Sequence, residues 1–194
     1  MSAGYGAFWS SLHFTDGFEP TLSQQTVVAS AAHFWKSGWN LSLSGGAIVA
    51  GSMDGAGQSY TIDPGWLASV RVGVEAIHER GAIPFLQIGL ALSVSRATMH
   101  GEGEGTHALW ASDAQLSVAA GYTLFGFWRL YLAPRGFGGP IFMHHGGDTV
   151  RGRDRYFFMA GMGTAFLLPA GFTIYADGSP LGERAISGGL AYSF

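Results

Sequence analysis

The segment Trp66–His78 reads WLASVRVGVEAIH, and its apolar and polar side chains alternate residue by residue. The apolar side chains on one face are Ala68, Val70, Val72, Val74 and Ala76. The opposite face carries Ser69, Arg71, Gly73 and Glu75. A β-strand holds such sets on separate faces, because its successive side chains point in opposite directions. The segment therefore predicts a strand with one apolar face and one polar face.

The same alternation recurs in three segments further along the chain. These segments are Ala82–Arg96, Trp110–Thr123 and Phe127–Gly136. Each is about ten residues long or longer, whereas strands of soluble proteins usually have about five or six residues. At about 3.3 Å per residue and a tilt near 40°, such strands cross the roughly 25 Å apolar band of a membrane barrel. Strand length therefore favours strands that span a membrane.

Ten strands can be placed along the chain. They are Ala3–Phe14, Thr26–Trp35, Trp39–Ser52, Trp66–His78, Ala82–Arg96, Trp110–Thr123, Phe127–Gly136, Arg155–Leu167, Gly171–Asp177 and Arg184–Phe194. The first two alternate poorly, so eight strands remain the alternative. Tyr156–Ala176 carries no charge and is long enough for a membrane helix. Its turn signal Leu168–Gly171, which contains Pro169, favours two strands instead.

The connections between these strands alternate in length. The short ones are Lys36–Gly38, Glu79–Gly81, Leu124–Gly126 and Leu168–Ala170. The long ones are Thr15–Gln25, Met53–Gly65, Ala97–Leu109 and Phe137–Asp154, with a shorter link at Gly178–Glu183. Short turns at one end and long loops at the other are typical of antiparallel membrane barrels with an even strand number. Residues 1–194 are therefore predicted to form a single all-β domain, a closed antiparallel up-and-down transmembrane β-barrel.

The C-terminal residues carry a motif. The last eight residues read SGGLAYSF and place Ser187, Gly189, Tyr192 and Phe194 at the positions that define it. This ending resembles the β-signal of bacterial outer-membrane β-barrel proteins, in which a polar residue, a glycine and two aromatic residues recur at this spacing. The resemblance implies that the segment is the last strand and that the barrel-assembly machinery reads it. It also implies a location in the outer membrane, among its lipids and lipopolysaccharide, without identifying a subfamily.

Composition excludes several classes of function. Charged residues make up 12% of the chain, about half the usual share. The net charge of −3 and the lack of a basic stripe argue against a nucleic-acid partner. The chain has no cysteine, which excludes disulfides, thiolate metal sites and a cysteine nucleophile. The N-terminus lacks a signal peptide, so a mature form is expected for an exported protein.

Charged and polar residues on the face opposite the apolar set are predicted to line the lumen. They are Arg71, Glu75, Asp113, Gln115, Arg129, Tyr131 and Arg135. Isolated charges in a narrow lumen are costly, so they are expected to pair with one another or to contact water. Arg71, Glu75, Asp113 and Arg129 are expected to form one paired network. A polar plug is the favoured interpretation, and a narrow water path or a small-ligand site is the alternative.

Histidines raise the question of a metal or catalytic site. His78 is placed beside a short turn, His100 and His107 in a loop with Glu102 and Glu104, and His144 and His145 in a loop with Asp148. Their spacing matches no defined metal motif, which favours solvated surface histidines. Gly101, Gly103 and Gly105 alternate with glutamates that repel phosphate, and no strand–loop–helix frame surrounds them. No catalytic residue, metal or cofactor is therefore predicted.

Fold alone does not select a function. The favoured interpretation is a non-enzymatic barrel with a largely occluded polar lumen. It would act through its outer loops or as a structural component of the envelope, with other envelope proteins as partners. A narrow passive pore for small solutes is the alternative, and a lipid A-modifying enzyme with an outer-surface histidine is a second one. A soluble ligand-holding barrel, the competing fold, would face its apolar residues inward.

Overall fold

The computed structural model describes residues 1–101, 105–145 and 148–194, without the side chain of His145. Thirteen strands occupy most of this length. They are β1 Ser2–Phe14, β2 Thr21–Phe34, β3 Trp39–Gly55, β4 Gln58–Ile62, β5 Gly65–Ile77, β6 Phe85–Gly101, β7 Thr106–Leu124, β8 Trp128–Gly138, β9 Pro140–His145, β10 Asp148–Asp154, β11 Phe158–Leu167, β12 Phe172–Gly182 and β13 Arg184–Tyr192. A 3-10 turn, Pro169–Gly171, joins β11 to β12. Within the described ranges, no helix is long and apolar enough to cross a membrane.

Ten of these strands close into a ring in which all neighbours are antiparallel. The ring runs β1, β2, β3, β5, β6, β7, β8, β11, β12, β13 and back to β1. The three remaining strands extend the wall at one end. β4 continues into β5 between the same two neighbours, β8 continues into β9, and β10 continues into β11. The predicted closed antiparallel barrel of about ten strands is therefore confirmed.

A second, narrower ring closes above the first. The hairpin of β12 and β13 turns back at Glu183 and does not reach the outer part of β1. Strand β1 therefore changes partner along its length. Ser2–Trp9 pairs with β13, whereas Leu12–Phe14 pairs with β10. The upper ring therefore has eight members, in the order β1, β2, β3, β4, β6, β7, β9 and β10. Barrel width grows with strand number, so the wall narrows from ten strands to eight.

The hydrophobic pattern reverses between the two rings. In the ten-stranded ring, β6 and β7 expose Leu90, Leu92 and Leu116 outward, while Ser117 is buried inward. In the eight-stranded ring, the inward positions of β6 and β7 are apolar and buried, as at Met99 and Leu109. An apolar exterior suits a bilayer, and an apolar interior suits a strand surrounded by water. The reversal therefore marks where the wall leaves the membrane.

Aromatic side chains mark the two ends of the apolar exterior. Near the short turns, the exposed ones include Trp35, Trp39, Phe125, Phe127, Phe172 and Tyr192. At the other end lie Trp9, Trp66 and Trp110, and the Trp66 and Trp110 rings meet edge to face at 5.9 Å. The Arg96 guanidinium lies 5.0 Å above the Trp110 ring. Such rings typically sit at membrane–water boundaries. We call the end with the long hairpins the outer end and the end with the short turns the periplasmic end, after the usual arrangement in outer-membrane barrels.

The prediction that the long links are loops is wrong for most of their length. Met53–Gly65 contains β4, Phe137–Asp154 contains β9 and β10, and Ala97–Leu109 extends β6 and β7. Charged residues in these links obscure a second alternation, in which Tyr60, Ile62, Ile141 and Met143 are buried and the residues beside them are exposed or half-buried. The charged residues of these links indicate segments outside the membrane. Such segments can still form β-strands, because a strand above the bilayer can expose one polar face to water.

The register predicts opposite outcomes for arginine at two adjacent positions of β7. Leu116 faces lipid near the middle of the spanning part, whereas Gln115 lines an internal cavity that also contains Asp113 and Glu183. We expect Leu116→Arg to lower the free energy of unfolding in lipid vesicles by about 2–4 kcal/mol. Gln115→Arg should cost much less, because carboxylates lie nearby. Denaturant titration measures both, and a larger loss for Gln115→Arg would mean that the register is wrong by one residue.

Candidate functional site: the lumen and the outer rim

The lower part of the lumen is polar. Arg71 on β5 donates from Nη2 to the Ser117 Oγ on β7 at 3.0 Å, and the Ser117 Oγ donates to the Gly89 carbonyl at 3.2 Å. On the opposite wall, the Tyr131 hydroxyl donates to the Asp177 Oδ1 at 2.6 Å. The Arg135 Nη2 lies 3.9 Å from the same oxygen. These groups line a cavity of about 290 Å³.

Two inward glycines make room for these large polar side chains. A Cβ at Gly89 would lie 2.8 Å from the Arg71 Nε, and a Cβ at Gly163 would lie 2.3 Å from the Tyr131 Cζ. Real Cβ atoms do not approach neighbours so closely. Because glycine has no side chain, the Arg71 side chain can lie across Gly89 and the Tyr131 side chain can lie across Gly163. The two glycines therefore leave space for the polar network inside the barrel.

The residues expected to form one paired network are distributed between separate places. Arg129 donates from Nε to the Thr123 Oγ1 at 3.3 Å and lies 5.0 Å from the Phe85 ring centroid. Glu75 lies at the periplasmic mouth, where its Oε1 is 3.0 Å from the His78 Nδ1. No ion pair joins Arg71, Glu75, Asp113 and Arg129 to one another among the described residues. Arg71 and Glu75 lie four residues apart on β5, which is about 13 Å along the strand, so their side chains do not meet.

Asp177, the acid that Tyr131 and Arg135 share, was not among the predicted lumen residues. The sequence had placed it at the end of a short strand, whereas β12 runs on to Gly182. The alternation along β12 could have identified Asp177 as an inward residue, because Thr173, Tyr175 and Asp177 alternate with the exposed residues Ile174 and Ala176. The signal was present, but the strand boundary hid it.

A second cavity, of about 230 Å³, lies at the step where the ring narrows. Three carboxylates line it, from Asp113 on β7, Asp154 on β10 and Glu183 in the β12–β13 turn, together with Gln115. The Ser10 Oγ donates to the Asp154 Oδ1 at 2.7 Å. Burial, with the nearby carboxylates of Asp154 and Asp113, raises the pKa of Glu183 to about 8, and Arg135 opposes this effect. Burial and the neighbouring carboxylates therefore favour the neutral form of Glu183.

Above this cavity, the interior of the eight-stranded ring is filled by apolar side chains. We call this group the apolar plug. Its members are Leu12, Phe14, Leu22, Ile48, Met53, Tyr60, Ile62, Ala97, Met99, Leu109, Ile141 and Met143. Phe14, Met53 and Met99 are fully buried. A closed ring of eight strands has an interior about as wide as the side chains that fill it, so narrowing and filling occur together.

The histidine side chains that the structure describes do not come together in a metal site. The His100 Nδ1 lies 3.3 Å from the Asp63 Oδ2, and the His144 Nδ1 lies 2.7 Å from the Thr149 hydroxyl. His107, expected on a solvated loop, is instead buried in β7, where its ring meets Tyr60 edge to face at 5.4 Å. Glu102, Gly103, Glu104 and the side chain of His145 lie outside the described residues. Within the described part of the chain, no three potential ligands could hold a metal ion.

The C-terminal motif lies in and after β13, which pairs with β1. Ser187 lies opposite Gly6, and Gly189 lies opposite Gly4. A Cβ at Gly189 would lie 2.3 Å from the Ala3 carbonyl oxygen, so this position requires glycine. The Tyr192 ring is 4.9 Å from the Phe172 ring, and the side chain of Phe194 is 92% exposed. The motif residues therefore lie at the closing seam of the barrel and at its periplasmic end.

No protein-family model matches the sequence, and no curated protein sequence resembles it significantly. Solved structures do resemble the fold. The transport unit of the autotransporter AIDA-I from Escherichia coli superposes with a TM-score of 0.53 at 13% identity, over 100% of this chain and 90% of that one. The translocator domain of autotransporter NalP from Neisseria meningitidis gives 0.53 at 11% identity, over 100% and 88%.

Identity this low establishes a common fold and nothing more specific. The fold is that of the bacterial outer-membrane β-barrels. The exterior between the two rows of aromatic side chains is apolar, and only such a surface is stable against lipid. Fold and exterior together define this chain as a closed β-barrel of the membrane-spanning type.

Proposed function

We propose that this protein is a non-conducting, non-enzymatic barrel that acts through its outer end, as a binding surface or a structural component of the envelope. The observation that carries the proposal is the apolar plug in the eight-stranded ring. An ion that enters a passage filled by apolar side chains loses its hydration shell, and a water molecule loses its hydrogen bonds. The apolar side chains offer no polar groups that would replace these interactions. The plug therefore supports a closed lumen at the outer end.

This closure differs in kind from the polar plug expected from the sequence. The polar residues around Arg71 and Asp177 lie below the plug, in a compartment that water reaches, since Arg71 remains exposed. Removing one ion pair there would leave the outer seal in place. A narrow pore is the alternative, and it requires the plug to move.

A lipid-modifying enzyme is supported by one observation only. On the outer surface, the His13 Nδ1 lies 2.8 Å from the Glu19 Oε1, which is the orientation of a general base held by a carboxylate. In the described residues, however, no hydroxyl group hydrogen-bonds to His13. The pair therefore lacks the nucleophile contact that such an enzyme requires, and the closed-barrel function is the better supported.

Conductance in planar bilayers tests the closed lumen. We expect no steady conductance from the unmodified protein. The variant Phe14→Ala/Met99→Ala removes two fully buried side chains of the plug, and it should conduct because the outer seal then contains a cavity. Each change costs the outer ring about 2–5 kcal/mol, while the membrane-spanning wall keeps its hydrogen bonds.

The matched control for this experiment is Leu92→Ala/Leu132→Ala, which removes two exposed side chains from the lipid-facing surface. This control should remain silent. Large, steady conductance from the unmodified protein would refute the closed lumen and support the pore. A plug variant as silent as its control would show that the apolar plug is not what closes the passage.

We also propose that Ser187, Gly189, Tyr192 and Phe194 form the signal by which the barrel-assembly machinery inserts the chain. Support comes from the spacing of the motif and from the exposure of Phe194, whose side chain makes little contribution to packing in the folded barrel. A residue kept for recognition can be exposed in the product, whereas a residue kept for stability is normally buried.

Replacing Phe194 separates these two roles. We expect Phe194→Ser to reduce assembly in cells strongly, while refolding in detergent micelles changes little. Phe34→Ser is the matched control, because Phe34 is also an exposed aromatic residue of the periplasmic end. Folded protein in isolated outer membranes and refolded protein in detergent are both measured by the heat-dependent shift in gel mobility. Equal losses in cells and in detergent would show that Phe194 is only structural.

A further inference from the structure

Cationic side chains are concentrated at the step where β1 changes partner. Arg151 and Arg153 alternate on β10 with Gly152, which is buried against the Phe14 ring, and both arginines are exposed. Arg155 follows with the same spacing, and its backbone N–H donates to the Ser11 carbonyl. Arg151 and Arg153 are about 6.6 Å apart along the strand, and Arg155 lies in the bend that follows β10. We call Arg151, Arg153 and Arg155 the arginine ladder.

The ladder lies directly above the outer boundary of the membrane. β10 pairs with Leu12–Phe14, just beyond the part of β1 that pairs with β13. The turn between β12 and β13 ends below it, where Arg184 lies opposite Trp9 in the register. Trp9 and Arg184 are both exposed, which is typical of side chains at the level of lipid headgroups.

The charge of the ladder is largely uncompensated by the protein. Among the described residues, no carboxylate oxygen lies within 4.0 Å of Arg151, Arg153 or Arg184. Arg155 has one distant partner, the Glu19 Oε2 at 4.0 Å from its Nη1. Like charges in a row repel one another. An anion placed against the row would relieve that repulsion and accept charge-assisted hydrogen bonds from the guanidinium groups.

A groove beside the ladder supplies an apolar surface for the rest of such a ligand. It has a volume of about 550 Å³ and is lined by Arg151, Arg153, His13, Phe157 and the bend at Gly138–Pro140. The Phe157 ring packs over Gly138, where an added Cβ would lie 3.4 Å from it, and the side chain is 54% exposed. Guanidinium groups beside exposed aromatic and proline surfaces suit a ligand that is anionic at one end and apolar at the other.

We propose that the arginine ladder and this groove bind the phosphate groups of a phosphorylated glycolipid in the outer leaflet. The position of the ladder at the membrane boundary favours a lipid over a soluble anion, because the lipid is already concentrated there. The chain as a whole carries a net charge of −3, so a long-range attraction for polyanions does not explain the cluster. The proposal rests on membrane location and is independent of whether the lumen is closed.

Binding of lipid A to the detergent-purified protein tests this site. The probes are bisphosphorylated lipid A and the same lipid with its phosphates removed, titrated by native mass spectrometry. We expect Arg151→Gln/Arg153→Gln to weaken binding of the phosphorylated form at least about tenfold, as for loss of charge-assisted hydrogen bonds. The control Lys36→Gln/Arg80→Gln removes two cations from the periplasmic end and should bind like the unmodified protein.

Two further measurements separate the sources of the phosphate and the effect of folding. Excess inorganic phosphate should not displace lipid A from the unmodified protein. Arg151→Lys/Arg153→Lys keeps the charge but loses the forked geometry, so it should bind with intermediate affinity, and it decides the question if the glutamine variant fails to fold. Equal binding by the unmodified protein and the folded arginine variants, unchanged affinity for dephosphorylated lipid A, or displacement by inorganic phosphate would each overturn the proposal.

Discussion

Strand β1 hydrogen-bonds to β13 over Ser2–Trp9 and to β10 over Leu12–Phe14, and this change of partner sets the shape of the interior. Every backbone group that enters a bilayer must find a hydrogen-bond partner within the protein, so a spanning sheet has to close on itself. This sheet closes once with ten strands and again with eight. Because interior width follows strand number, the same wall encloses a polar compartment below and a space filled by side chains above.

The reversal of hydrophobicity follows from this arrangement. Strands that face lipid need an apolar exterior and tolerate a polar lumen, whereas strands that rise into water need an apolar interior. β7 meets both conditions along one continuous length, with Leu116 exposed below and Leu109 buried above. The long hairpins are therefore a second core rather than loose loops. They hold the apolar plug in their interior and carry Arg151 and Arg153 of the arginine ladder on their outer surface.

Much of the membrane-spanning wall could be predicted from sequence, because alternation over ten or more residues specifies both a strand and its faces. The four strands from Trp66–His78 to Phe127–Gly136 were found in this way, although each observed strand extends further at its outer end. Met99 and Ile141 were overlooked because the alternation there has the opposite sense and lies among charged residues. A search limited to apolar outward faces could not detect strands whose apolar face is turned inward.

The lumen was less predictable than the wall. Sequence parity identifies which side chains point inward, but partners depend on register across strands that are far apart in the chain. Arg135 and Asp177 meet because β11 lies between β8 and β12, a relation that no local pattern contains. The Tyr131–Asp177 contact likewise joins residues separated by 46 positions. The alternation along one strand therefore indicates which residues point inward, but it does not give their partners.

Amide hydrogen exchange of the protein in detergent micelles tests the second closure most directly. The backbone amides of Thr15 and Arg155 donate across this pairing to the Arg151 and Ser11 carbonyls. They are predicted to exchange as slowly as the amides of β1 within the ten-stranded ring. Slow exchange there requires persistent hydrogen bonds between β1 and β10. Exchange as fast as that of the periplasmic turns, with the lower wall still protected, would show that the eight-stranded ring does not close.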